Sequence, residues 1–339
     1  MDDSYRLVGG LGSPYTMKVR AALRYRRIAH TFEMRNGKVR EEVAHVRPQL
    51  IPMLKFPGEP DWMVDSTPIL YALESHHAGR SLLPDDEASR FIAELLEDFA
   101  DEWLTKAMFH YRWFYAQDRE YCAGWIAADQ VTPGEGAVER RREFAASIGA
   151  RQVSRMALVG CTEQNKPVIE ATYERVLDAL EGEVGFGQFL FGTRPSIADF
   201  GLFGQLKTLA DDPTPQWLMR QRAPTVSHWI RQMDDLSGIS GDWHVPGHNL
   251  PTVVTRLLRV CAETYLPFLA ANASALAEGS EQVDLDLLGQ RYRQAPFRYQ
   301  GKCRARLVAF HSQLSGGART RVDAWLEQAG ASRWLAPAS

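Results

Sequence analysis

Leu50-Ile51-Pro52-Met53-Leu54-Lys55-Phe56 and, after the turn Pro57-Gly58-Glu59-Pro60, Trp62-Met63-Val64-Asp65-Ser66 form the stretch on which the reading of this chain rests. A proline inside an apolar, strand-like run cannot donate to a sheet ladder, so its presence needs a specific reason. Trp62 to Val64 reads as a further short strand, and Asp65-Ser66 as the start of a helix with Ile69, Leu70 and Leu73 on its apolar face. Upstream, Tyr5 to Val8 is short and β-prone and runs into the flexible turn Gly9-Gly10-Leu11-Gly12. Ser13-Pro14 opens a helix, with serine as N-cap and proline just inside, and Val19 and Leu23 give it an apolar face. Thr31 to Met34 is the next strand. The order is β-α-β, an irregular polar stretch over 36–47, then β-β-α, closed by Leu82-Leu83-Pro84.

Beyond this unit the texture becomes helical. Phe91, Leu95, Phe99 and Trp103 recur every four residues with Glu94, Glu97, Asp98, Asp101 and Glu102 between them, the pattern of one long amphipathic helix. Thr132-Pro133-Gly134-Glu135-Gly136 breaks it. Val168 to Leu180 is helical, Ser196 to Leu206 is a nearly uncharged and therefore buried helix, and Pro224 to Met233 is another. Ser196 with Asp199 three residues on forms a capping box. Ser237 to Pro251, rich in Gly, Pro and His, reads as a linker. Residues 252–278, 302–314 and 318–328 read as helices, with an irregular stretch around Pro296.

Composition narrows the function classes. Of 339 residues, 45% are hydrophobic and 24% charged, with a net charge of −3, an ordinary globular balance with no basic pole for nucleic acid or an anionic membrane. No apolar run approaches the ~20 residues of a membrane span. The N-terminus lacks a basic flank followed by an apolar stretch, so a secretory signal is not expected. Cys122, Cys161, Cys261 and Cys303 are scattered, as expected of reduced cytosolic thiols. His244 and His248 lie four apart, but Pro246 and Gly247 between them argue against a helix, and no third ligand is evident, so no metal is expected.

Three features point to chemistry when taken together. In thioredoxin-like folds a proline placed like Pro52 is cis, and the residue before it, here Ile51, offers its backbone N–H and C=O to a bound peptide. A helix start has free N–H groups and partial positive charge, so Ser66 is a candidate to hold a carboxylate, and Asp65 an ammonium. The hydroxyl of Ser13, at the start of the first helix, would favour the ionised form of a thiol held nearby. Taken singly, Ser13 and Asp65-Ser66 are helix caps and Pro52 is an edge-strand proline.

The motifs SPYTMKVRAAL, IPML and DSTPILYALE resemble the N-terminal domain of cytosolic glutathione transferases, and RPSIADFGLFGQL and APTVSHWIRQM resemble helices of their C-terminal domain. The resemblance covers roughly residues 5–236 and is more specific for fold than for activity. It implies an α/β thioredoxin-like glutathione-binding domain over residues 1–84, an all-helical domain over 85–236, and a helical extension over 237–339 that packs on the helical domain. Ser13 stands where serine-type members keep the activating hydroxyl, and Thr16 where a redox pair would have its second cysteine. Ile51, Pro52, Asp65 and Ser66 stand at the glutathione-binding positions. Leu50 stands where the family often has Lys or Gln for the glycine end of glutathione, with Lys38 or Arg40 as substitutes. An apolar acceptor pocket would draw on Tyr15, Phe109 and Trp113. The implied protein is a serine-type transferase of the cytosol, homodimeric and detoxifying, joining glutathione to an apolar electrophile. A non-catalytic binding or scaffold protein, and a glutathione-dependent isomerase or dehalogenase, are the other readings of the same fold.

Overall fold

The computed structural model describes residues 4–245, 247 and 249–334. The first unit comprises β1 (Tyr5–Gly9), α1 (Pro14–Tyr25), β2 (His30–Met34), α2 (Gly37–Glu42), β3 (Met53–Lys55), β4 (Trp62–Val64) and α3 (Ser66–His76). Its sheet runs β2-β1-β3-β4, with β1 and β2 parallel and the other pairs antiparallel. This is the thioredoxin-like order expected from the sequence. The peptide bond between Ile51 and Pro52 is cis, as expected, and so is that between Arg47 and Pro48. The short α2 lies in the stretch that the sequence left irregular.

Next come α4 (Glu87–Phe99), α5 (Thr105–Phe114), α6 (Ala116–Gln130), α7 (Ala137–Val153), α8 (Lys166–Leu180), α9 (Ile197–Leu209), α10 (Pro213–Arg222) and α11 (Pro224–Met233). The single amphipathic helix expected through Trp103 is instead α4 and α5 joined by a π-helical turn, Ala100–Leu104. A four-residue repeat drifts by about 40° per step on a 3.6-residue helix. The wide turn, in which the Thr105 N–H reaches the Ala100 carbonyl, absorbs that drift and brings Trp103 back to the core. Helix α9 is buried as expected. The Asp199 carboxylate accepts from the N–H of Ser196 at 2.8 Å and from its hydroxyl at 2.6 Å, completing the expected capping box.

The remainder holds α12 (Thr252–Glu263), α13 (Tyr265–Glu278), a hairpin of β5 (Val283–Leu287) and β6 (Gln290–Gln294), then α14 (Arg298–Gln313) and α15 (Gly316–Gln328). The extension was expected to be helical apart from its linker and an irregular stretch around Pro296, and the hairpin, which falls between the expected helices, corrects that. Its signal is visible in the alternation Val283, Leu285, Leu287 against Asp284 and Asp286. Leu288 (φ 51°) and Gly289 (φ 75°) make the two-residue turn, whose left-handed backbone suits the strand twist.

The extension packs against the helical unit. Trp103 lies 5.2 Å from Phe268 and 5.4 Å from Tyr292, centroid to centroid. The acidic face of α4, which the sequence pattern puts in water, is covered. Glu97, Asp98 and Asp101 are 1%, 3% and 6% exposed. Asp98 accepts from the Tyr265 hydroxyl at 2.6 Å and from Arg306 at 2.8 Å. Lys18, fully buried on α1, pairs with Glu97 and, at 2.6 Å, with Asp101. Burial alone would lower the Lys18 pKa, but the two carboxylates outweigh it and hold the ammonium charged. Helix α1 also lies tightly on α9, where a side chain at Gly204 would come within 2.5 Å of the Pro14 carbonyl.

Breaking the Lys18 cluster strands buried carboxylates. Lys18→Met is expected to lower the unfolding free energy by about 3–5 kcal/mol in urea titrations at pH 7. Adding Glu97→Gln and Asp101→Asn should recover much of the loss. Glu102, on the π-helical turn, is pushed up to about 8 by burial and by the neighbouring Asp98 and Asp101. A carboxyl raised in the folded state contributes stability below its unfolded pKa, and that contribution is lost as pH rises through 8. Glu102→Gln should therefore stabilise the protein more at pH 8.5 than at pH 5, measured as the difference in urea midpoint from the parent protein.

Candidate functional site

A cleft of about 580 Å3 lies between the sheet unit and the helical unit. Among the residues expected from the sequence, Ser13, Tyr15, Ile51, Phe109 and Trp113 all line it. Ser13 caps α1, and its Oγ accepts from the Thr16 N–H at 3.2 Å. The hydroxyl proton donates to no described residue. A serine placed this way uses its oxygen on the helix and keeps its O–H available to a group in the cleft, beside the positive end of the helix dipole.

The turn leading to Ser13 is fixed from the helical side. Arg112 of α5 donates to the Gly12 carbonyl at 2.7 Å and forms a buried pair with Asp212. A side chain on Gly12 would meet the Trp125 ring at 2.9 Å, so glycine is what lets the turn approach α6. Tyr15 bridges to the π-helical turn, its hydroxyl donating to the Asp101 carbonyl at 3.0 Å and lying 3.2 Å from Thr105 Oγ1. Burial holds that phenol well above its usual pKa. Phe109 and Trp113 lie one turn apart on α5, their rings tilted by 56° with centroids 6.4 Å apart.

Beside the turn at Gly10, on the same sheet unit, no described residue hydrogen-bonds to the backbone N–H or C=O of Ile51. Pro52 is buried behind it. Leu50 is 52% exposed and lines the cleft. Of the two basic substitutes considered for it, Arg40 lines the cleft and Lys38 does not.

Asp65 and Ser66 lie outside this lining. Asp65 takes the N-cap position of α3 with φ 77° and ψ 126°, a left-handed backbone uncommon for a residue with a side chain, and its carboxylate makes no capping bond. Instead it accepts from the hydroxyl of Tyr299, at the start of α14, at 3.1 Å. The Ser66 side chain, expected to face a ligand, points inward. It is 3% exposed and lies 3.5 Å from Lys18 Nζ and 3.4 Å from Asp101 Oδ2, where it joins the buried cluster. The buried ammonium needs hydroxyl partners, and α3 supplies Ser66 and Thr67.

A second cavity of about 290 Å3 adjoins the first across Tyr15, Met108 and Phe109. Glu102 and Lys106 line it, and the extension closes it with Phe297, Tyr299 and Gln300. Burial brings Lys106 down to about 8, although its ammonium reaches the Val159 carbonyl at 2.9 Å and Gln294 at 2.7 Å. Sequence reasoning missed this wall, because the extension's contacts with α5 have no local signal. Cys161 is also buried, which pushes its thiol up to about 12. Among the described residues no group of three or more potential metal ligands occurs, and His248 of the His244/His248 pair lies outside the described residues.

Comparison with known proteins gives two family matches. Residues 7–81 match the glutathione S-transferase N-terminal domain, and residues 136–232 match its C-terminal domain. No curated protein matches. Among solved structures, the chain is similar to a β-etherase from Sphingobium sp. strain SYK-6, at 14% identity over 68% of this chain and 95% of that one, with a TM-score of 0.45. It is also similar to a glutathione transferase family member from Pseudomonas fluorescens Pf-5 with bound glutathione, at 19% identity over 72% and 100% of the two chains, TM-score 0.37. A glutathione S-transferase from Methylobacterium radiotolerans in complex with glutathione sulfonate is 18% identical over 73% and 99%, TM-score 0.41. With an N-terminal and a C-terminal family domain in the family's order, together spanning about half of its length, the chain belongs to the glutathione S-transferase superfamily.

Proposed function

We propose that the protein binds glutathione in the cleft between its two halves and activates the thiol for attack on an apolar electrophile. The observation that carries this reading is the Ser13 hydroxyl, held at the N-terminus of α1 with its proton free, lining the same cleft of about 580 Å3 as Ile51, whose backbone is unpaired. Ile51 would pair with the cysteinyl backbone. Arg35 and Arg40 line the cleft beside Leu50 and would hold the glycyl carboxylate. Ser13 would donate to the sulfur, and the helix end would favour its thiolate form. Tyr15, Phe109 and Trp113 would hold the electrophile. The reaction class is substitution or addition, in which a carbon–sulfur bond forms, any leaving group departs with its bonding pair, and the thiol proton goes to solvent. The protein contributes proximity and a lowered thiol pKa. A cytosolic, homodimeric and detoxifying role goes with this reading.

A second reading, a binding protein with weakened glutathione chemistry, is favoured by the γ-glutamyl end of the site. There Ser66 is committed to Lys18, and Tyr299 occupies Asp65. Conjugation assays with a chloronitrobenzene acceptor separate the two. Ser13→Ala should lower turnover roughly ten- to hundredfold, the worth of a hydrogen bond to a charged sulfur. Failure of the parent protein to bind glutathione at millimolar concentration would leave the binding-protein reading. Tyr299→Phe releases the Asp65 carboxylate for an ammonium. It should tighten the glutathione Kd in calorimetry by roughly two- to fivefold, and an unchanged Kd would remove Tyr299 as a competitor.

A further inference from the structure

We infer that the electrophile taken by this cleft is an anion, an aromatic or similarly flat apolar body bearing a carboxylate-like group that Arg151 and Arg155 receive. The inference rests on the glutathione reading for the identity of the first substrate, and on the following geometry for the second.

Helix α7 lines the cleft with one stripe: Phe144, Ile148 and Arg151, with Arg155 just past the helix end. These are spaced by four, three and four residues, so they fall on one side of the helix. The stripe is apolar at its start and cationic at its end, over about 10 Å from Phe144 to Arg151 at helical rise. Phe109 and Trp113 of α5 line the same cavity, which makes the first part of the stripe one wall of an apolar slot. A flat ring in that slot would carry its substituent toward the two guanidinium groups.

The charge count supports an anion there. Arg35, Arg40, Arg151 and Arg155 all line the cleft, and none is in an ion pair with a described carboxylate. The remaining arginine of the lining, Arg112, is neutralised by Asp212. Asp129 is the one carboxylate among the lining residues, and it accepts from the Leu11 N–H at 3.1 Å. Burial and the proximity of Arg40 and Arg151 lower the Arg35 pKa, so the like charges are close enough to act on one another. Glutathione in its thiolate form would bring two negative charges into this cleft, the sulfur and the glycyl carboxylate, its γ-glutamyl end lying toward Asp65. One guanidinium charge of this lining is then left over. A neutral electrophile leaves it uncompensated, whereas an anionic one engages it by charge-assisted hydrogen bonds.

The test uses a matched pair, 4-chloro-3-nitrobenzoate and its methyl ester, which share a ring, a leaving group and a reacting carbon. Equilibrium dialysis against the full chain, without glutathione, reads binding independently of turnover. The acid is expected to bind roughly fivefold or more tightly than the ester at low salt. That preference should shrink in 0.5 M NaCl and disappear in the Arg151→Gln/Arg155→Gln variant. Both side chains are exposed, so the variant should keep its fold, read by circular dichroism, and the Arg151→Lys/Arg155→Lys variant should retain part of the preference. Equal binding of acid and ester, binding of neither, or a preference that survives the double Gln variant overturns the inference. If the acid binds through these arginines but glutathione does not bind, the conjugation reading falls and the anion site stands. If glutathione binds and both compounds are conjugated with equal kcat/KM and equal affinity, only the anion site falls.

Discussion

Lys18 carries a full positive charge into the contact between the sheet unit and the helical unit, and the surrounding residues are arranged to tolerate it. Its ammonium meets Glu97 and Asp101 from α4 and the π-helical turn, and Ser66 and Thr67 from α3. Taking one ammonium and two carboxylates out of water costs several kcal/mol per ion, recovered only when every partner is in place. The cluster therefore fixes one arrangement of α1, α3 and α4. Helix α1 carries Ser13 at its start, and α5 continues from the same π-helical turn. So the distance across the cleft, from hydroxyl to aromatic wall, depends on the cluster. The commitment of Ser66 to Lys18 follows from the same requirement.

The extension is part of this arrangement. Tyr265 and Arg306 complete the coordination of Asp98, and Phe268 and Tyr292 pack on Trp103. Without them the acidic face of α4 would face water. With them it becomes interior, and burial raises Asp98 to about 6 and Glu102 to about 8. The same segment reaches the candidate site through Tyr299 on Asp65, and it closes the second cavity beside Tyr15. A 339-residue chain of this superfamily thus uses its additional length as a wall of the site as well as added core.

The cleft combines two kinds of surface. From α5 come aromatic rings, with the turn before α1 tied down by Arg112, and from α7 and the segment after β2 come guanidinium groups without acidic partners. Uncompensated like charges at the rim of an apolar cavity disfavour the empty state and favour anions, by the field they focus into a low-dielectric space. Such a surface selects by charge as well as by shape.

Local sequence determined the parts whose physics is local. The β-α-β then β-β-α order, the cis bond before Pro52, the Ser13 cap and the Ser196–Asp199 capping box each follow from a few neighbouring residues and their backbone preferences. Hence the first domain, the buried helix α9 and five of the residues that meet in the cleft were legible from the sequence. The hairpin at 283–294 had a local signal in its alternation, but it lay within a stretch otherwise read as helix and loop. What only the tertiary structure decided was the environment of the charges. An Asp or Glu on a helix looks the same in sequence whether water or another helix covers it, and the cover for α4 comes from residues about two hundred positions later. The burial of Lys18 with its two acids, the inward turn of Ser66, the contact of Tyr299 with Asp65 and the gathering of arginines from β2's end and α7 are all long-range pairings. No periodicity records such pairings, because the energy that selects them appears only once the chain has excluded water.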